Sequence, residues 1–179
     1  MADIPDRVSE EERLKARPSR ARYDKVHLAL ERKWRRRELR VDRMMREVVD
    51  VLWSAFAGSP YSWCGFYLLA VDGQSLVLGP HRDKPACSPL PLHGVCGRVA
   101  AGGQAFIVPD VKALGEAHIE CDPRNLSEIA LPVRDKTGKV WAVFDVDSAA
   151  PAAFDEMDQR WLEKILRRFE ETGAPESGR

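Results

Sequence analysis

Two short apolar runs joined by a two-residue turn constrain the fold of this chain more than any other feature. Tyr61 to Val71 is aromatic and aliphatic, Asp72-Gly73 reverses the chain, and Ser75-Leu76-Val77-Leu78 follows. An Asp-Gly pair between such runs predicts a β-hairpin, because the tight turn needs residues that tolerate positive φ. Side chains alternate along a strand, so Trp63, Gly65, Tyr67 and Leu69 share one face. Gly65 leaves a gap between two aromatic rings, and either a small apolar or sulfur-containing ligand or a neighbouring side chain fills it. Paired aromatic residues are more often core than binding surface.

The hairpin needs partners to bury its apolar face. Upstream, Val41, Met44, Met45, Val48, Leu52 and Ala55 recur at helical spacing, which predicts one long amphipathic helix from about Asp24 to Phe56, ended by Gly58-Ser59-Pro60. Downstream, the expected elements are a short helix over Val95–Ala101, strands over Gln104–Val108 and Glu128–Arg134, a turn at Asp135–Gly138, a strand ending at Asp147, and a closing helix from about Asp155 to Glu171. In the strand ending at Asp147, alternation puts Trp141, Val143, Asp145 and Asp147 on one face and Val140, Ala142, Phe144 and Val146 on the other. The acidic end of the first face reads either as one end of a pocket or as a strand running into a polar turn that its carboxylates cap.

A length of 179 residues with 44% hydrophobic composition suits one domain. Residues 1 to about 22 lack an apolar face and predict a flexible arm, and the tail after Gly173 is expected to be disordered. Net charge is zero but unevenly spread: Met1 to Arg46 holds 15 basic against 9 acidic residues. Arg35, Arg36, Arg37, Arg40 and Arg43 form a basic cluster, yet no recognition motif accompanies it and the whole chain is not basic, which argues against nucleic-acid binding. Nothing near Met1 resembles a secretory leader and no run approaches a membrane span, so the expected location is cytoplasmic, with cysteines reduced at rest.

Those cysteines point to chemistry. Cys87, Cys96 and Cys121 lie in a loop-rich stretch that also holds His118 and Glu128. A thiol becomes a nucleophile when its anion is stabilised. For Cys121 the local candidates are His118 and Arg124; for Cys96 it is the opening turn of the predicted helix, whose dipole favours negative sulfur. Cys64, inside the first strand, reads as a packing residue.

The order helix, hairpin, cysteine loop, short helix, hairpin, helix resembles a GAF domain, an α+β fold with a central antiparallel sheet flanked by helices. Within that group the chain resembles the free methionine-(R)-sulfoxide reductases through Trp63-Cys64-Gly65-Phe66-Tyr67, Pro85-Ala86-Cys87, Gly94-Val95-Cys96-Gly97, Val108-Pro109-Asp110-Val111, His118-Ile119-Glu120-Cys121-Asp122, Ser127-Glu128-Ile129 and Asp145-Val146-Asp147-Ser148. The resemblance implies that Cys121 attacks, that Cys87 or alternatively Cys96 resolves, and that Trp63, Tyr67, Glu128, Asp145 and Asp147 bind free methionine sulfoxide. It further implies a thioredoxin-like reductant, no metal or organic cofactor, and room for a homodimer. Two rival readings stand beside it: a GAF module that binds a ligand or senses redox state without turnover, and a zinc site on Cys87, Cys96, His118 and Cys121.

Overall fold

The computed structural model of the protein describes residues 19–35, 38–83 and 86–174. Most of the expected arm (1–18), Arg36 and Arg37 of the basic cluster, Pro85 and the tail from Pro175 lie outside them. The elements run α1 (Arg20–Trp34), α2 (Val41–Phe56), β1 (Trp63–Leu69), β2 (Ser75–Arg82), β3 (Leu90–Pro91), α3 (Val95–Gly102), β4 (Phe106–Val108), a 3-10 turn (Val111–Ala117), β5 (Ser127–Arg134), β6 (Val140–Ser148), α4 (Glu156–Leu166) and α5 (Arg168–Thr172). The strands form one antiparallel sheet in the order β3-β2-β1-β6-β5-β4. No helix among the described residues is long and apolar enough to cross a membrane.

The two faces of this sheet do different work. One face packs on α1, α2, α4 and α5, where Phe66, Ile129, Leu131, Phe144 and Val146 meet Tyr23, Leu52, Phe56, Leu162 and Phe169. Each such side chain contributes about 1.5–3 kcal/mol when fully buried, so this layer carries most of the stability. The other face carries Trp63, Tyr67, Ala130 and Val143 beneath α3 and the cysteine-bearing loops.

Three expectations are corrected here. The long helix is two helices: α1 ends at Trp34, Arg40 is extended (φ −92°, ψ 125°), and α2 begins at Val41. A continuous helix over that span would be about 50 Å long, longer than a domain of this size is wide. Breaking it lets both apolar stripes reach the same core, and the Trp34 indole N–H donates to Glu47 Oε2 at 2.9 Å across the pair. The arm boundary also moves. Ser19 caps α1 by accepting from the Arg22 N–H at 3.2 Å, and the Arg22 guanidinium donates to the Ala55 carbonyl while lying 4.5 Å from the Phe56 ring centre, so residues 19–22 pack on the domain.

Trp141 is the third correction. Val133 pairs with Ala142 but Arg134 pairs with Val140, so β6 holds an extra residue there and a β-bulge interrupts the alternation. Its ring joins the helix-side core, 6.0 Å from Phe169, and leaves Val143, Asp145 and Asp147 on the opposite face. The closing helix is capped as its sequence implies, with Asp155 and Asp158 forming a reciprocal capping box, and it pauses at Arg167 between α4 and α5.

Candidate active site

Register alone assembles the acidic side of the site. Glu128 on β5 and Trp63 on β1 both pair with Asp147 on the strand between them, and in the next row Ala130 and Gly65 both pair with Asp145. Directly opposed residues bring their Cβ atoms to about 5 Å, so three carboxylates share one patch of sheet beside an indole ring. The gap expected at Gly65 is closed from within: a Cβ there would lie 2.5 Å from the His81 Cβ and 2.6 Å from the Trp63 ring. Trp63 stacks with His81 at 5.9 Å and with Tyr67 at 5.7 Å, so this aromatic row is a wall rather than an opening.

Helix α3 and two loops enclose the patch. The turn that starts α3 places Cys96 over Asp145, and Gly97 makes this approach feasible, since a Cβ there would sit 2.1 Å from the Leu92 carbonyl oxygen. Cys87 and Cys121 are joined by a disulfide across 34 residues of sequence, with Cα atoms 5.5 Å apart. Tyr67 donates from its hydroxyl to the Cys87 carbonyl at 3.1 Å, pinning that segment to β1. The resulting cavity, about 50 Å³, is bounded by Trp63, Tyr67, Cys96, His118, Cys121 and Asn125 together with the three carboxylates.

Electrostatics in this space are those of crowded, buried acids. Burial pushes the Glu128 carboxyl up to about 7. Asp145 is raised by burial, then by Asp147 and Glu128; Asp147 is raised by burial, then by Glu128, against a hydrogen bond from Asn125 that lowers it. The site therefore keeps protons on carboxyl groups at neutral pH. Two buried atoms aimed at this region, Trp63 Nε1 and Asp145 Oδ1, have no hydrogen-bond partner among the described residues. Each such atom costs about 1–3 kcal/mol until a ligand or water satisfies it.

The expectation that a helix dipole favours a Cys96 thiolate is overturned. Cys96 does open α3, but burial followed by Asp145, Glu128 and Asp147 holds its thiol well above the usual range, so burial and local carboxylates outweigh the helix end. Arg124, one of the two groups expected to support a Cys121 thiolate, instead directs its fork at Asp122, with N···O distances of 2.6 to 3.1 Å. His118 does line the cavity beside Cys121. Because the Cys87 and Cys121 sulfurs are bonded to each other, the four-ligand zinc arrangement is not assembled in this state. Cys64 faces the helix-side core, as its packing role requires. Sequence reasoning passed over Asn125, which reads as an ordinary turn residue until the fold sets it beside Asp147.

An antiparallel sheet with helices packed on one face and a loop-covered pocket on the other defines a class, and the chain belongs to the GAF-domain family, whose profile matches residues 38–168. Within that class it belongs with the free methionine-R-sulfoxide reductases. The free methionine-R-sulfoxide reductase of Saccharomyces cerevisiae is 36% identical over 122 residues, 66% of this chain and 67% of that one. Protein YtsP of Bacillus subtilis is 40% identical over 114 residues, 63% of this chain and 69% of the other. The crystal structure of free methionine-R-sulfoxide reductase from Neisseria meningitidis in complex with its substrate superposes with a TM-score of 0.77 at 31% identity, covering 96% of this chain and 95% of that one.

Proposed function

We propose that the protein reduces free L-methionine-(R)-sulfoxide to methionine. The observation that carries this reading is the Cys87–Cys121 disulfide, whose Cys121 lines a cavity walled by Glu128, Asp145 and Asp147. In the reduced protein the Cys121 thiolate attacks the sulfoxide sulfur while a protonated carboxyl of the cluster donates to the oxygen. Oxygen passes to sulfur: methionine leaves and Cys121 becomes a sulfenic acid. Cys87 then attacks that sulfur, water leaves with the oxygen, and the disulfide forms; two electrons from an external dithiol of the thioredoxin type restore both thiols. An ionised carboxylate of the same cluster receives the substrate's α-ammonium group, which restricts the reaction to the free amino acid. Trp63 and Tyr67 form the apolar wall against which the substrate methyl packs.

The test is methionine release from each sulfoxide diastereomer, free and N-acetylated, with a thioredoxin regenerating system. Turnover is expected with the free R form alone. Cys121→Ser should release nothing even in one turnover, whereas Cys87→Ser should release about one equivalent per site and then stall. Equal rates on free and N-acetylated substrate would overturn the role given to the carboxylates, and a single-turnover burst that survives in Cys121→Ser would overturn the choice of nucleophile.

A further inference from the structure

Asn125 has no role in the scheme above, yet its side chain is buried, only 8% exposed, and lines the cavity. Ser62 donates from Oγ to Asn125 Oδ1 at 3.2 Å, which leaves the NH2 end of the amide as a donor for the Asp147 carboxylate in the same cavity wall, whose ionised form it favours. Ser62 is itself fixed, because its backbone N–H donates to the Asp147 carbonyl at 2.9 Å, next to the Trp63–Asp147 pair.

The backbone of Asn125 is set from the other side, by the turn that follows Cys121. Asn125 N–H donates to the Asp122 carbonyl at 3.1 Å, and the Asp122 carboxylate accepts from the Arg124 N–H at 3.0 Å and from its guanidinium. The residues that present Cys121 therefore also aim one neutral donor at one member of the carboxylate cluster. The ionisable groups that face Asp147 are Glu128 on β5, Asp145 on its own strand, Asp122 and His118 in the loop, Cys96 on α3 and Tyr67 on β1. Three acids in that company cannot all ionise. A neutral amide donor favours charge on the neighbouring acid without adding a charge of its own.

We infer that Asn125 is a positioning residue for the reaction: its Ser62-oriented amide offers a donor to Asp147 and so stabilises the single negative charge the cluster presents to the substrate's α-ammonium group. This inference rests on the reading of the site as a free methionine sulfoxide reductase. It assigns the loop two linked tasks, since the turn carrying the nucleophile also orients the group that holds the substrate.

The experiment compares pH profiles of kcat/KM for free methionine-(R)-sulfoxide in wild type, Asn125→Leu, which has similar volume and no donor, and Asn125→Ser, which keeps one. In Asn125→Leu the acid limb should move to higher pH by roughly 0.5–1 unit, the equivalent of one neutral hydrogen bond. KM at neutral pH should rise roughly 3- to 10-fold while kcat changes less, because a lost charge on the binding group weakens substrate capture. Asn125→Ser should restore most of the limb. If Asn125→Leu does not accumulate as folded protein, Ser62→Ala, which removes the hydroxyl that orients the amide, repeats the test, with an upward shift expected. A limb that stays in place in the folded variant, whether activity is kept or falls uniformly with thermal stability, overturns the inference. Wild-type protein that releases no methionine overturns the proposed function instead.

Discussion

The disulfide makes a quantitative demand on stability. Cys87 and Cys121 close a loop across 34 residues of sequence. Removing that loop's closure entropy from the unfolded chain stabilises the oxidised protein by about 4 kcal/mol at 25 °C in the chain-entropy treatment. For a domain of this size each kcal/mol moves the midpoint of thermal unfolding by about 2–4 °C, so reduction should lower Tm by about 8–16 °C. Scanning calorimetry of wild type with and without a phosphine reductant, and of Cys87→Ser under both conditions, measures this directly. The reduced wild type and Cys87→Ser should coincide, and reductant should leave Cys87→Ser unchanged, because Cys121 has then lost its partner and Cys64 and Cys96 are buried free thiols in the folded protein. If reduced and oxidised wild type melt within about 2 °C of each other, the entropic reasoning fails. The segment between the two cysteines would then be constrained in the unfolded chain, or strained in the folded one by a matching amount.

Two further predictions concern buried acids. Burial pushes Asp158, on the helix side of the sheet, up to about 7 from its ordinary 3.8, so its contribution is favourable below about pH 4 and is lost as pH rises through 7. Asp158→Asn should be stabilising by up to about 4 kcal/mol at pH 8.5 and nearly neutral at pH 4, read from urea midpoints; equal effects at both pH values would mean that the group does not titrate in the fold. In the active site, with Asp147 holding the cluster's negative charge, the Glu128 carboxyl at about 7 keeps its proton below that pH, so kcat/KM is expected to fall as pH rises through it and the acid is lost. Glu128→Gln should lower kcat/KM by about 10²- to 10⁴-fold and remove the fall at that pH, whereas an unmoved fall would assign it to another group.

Which of these features were legible in the sequence follows from how local their causes are. The Asp72-Gly73 turn and the alternation along β1 and β6 are set by neighbours, so the hairpin, the common face of Trp63 and Tyr67 and that of Asp145 and Asp147 could be read directly, whereas only strand pairing puts the two sets side by side. The break between α1 and α2 could not, since neither glycine nor proline lies between Trp34 and Val41 and its cause is competition of two stripes for one core. The bulge at Trp141 was hidden for a related reason: an extra residue in a strand leaves composition unchanged and is visible only against the partner's register. The closure of the Gly65 gap needed His81, a residue on the neighbouring strand. Cys96 misled because a helix end is a local signal, while the burial that opposes it comes from packing on the sheet and the carboxylates that add to it come from β5 and β6. Asn125 became meaningful only when its two partners, Ser62 and Asp147, were brought to it by strand pairing.

The roof over the carboxylates also dictates the order in which molecules visit this protein. In the disulfide form Cys121, Ala86 and Ile119 help to line a cavity of about 50 Å³, room for a few waters and far below the several hundred Å³ of an ordinary ligand pocket. On the proposed mechanism an oxidised molecule has no thiolate to attack a second sulfoxide, so substrate and reductant are expected to act on different forms of the protein. Initial-rate plots against sulfoxide at several reductant concentrations should accordingly give parallel double-reciprocal lines, the signature of a ping-pong enzyme. High sulfoxide would then slow neither its own turnover nor the approach of the dithiol, and throughput under oxidative load would be set by the supply of electrons.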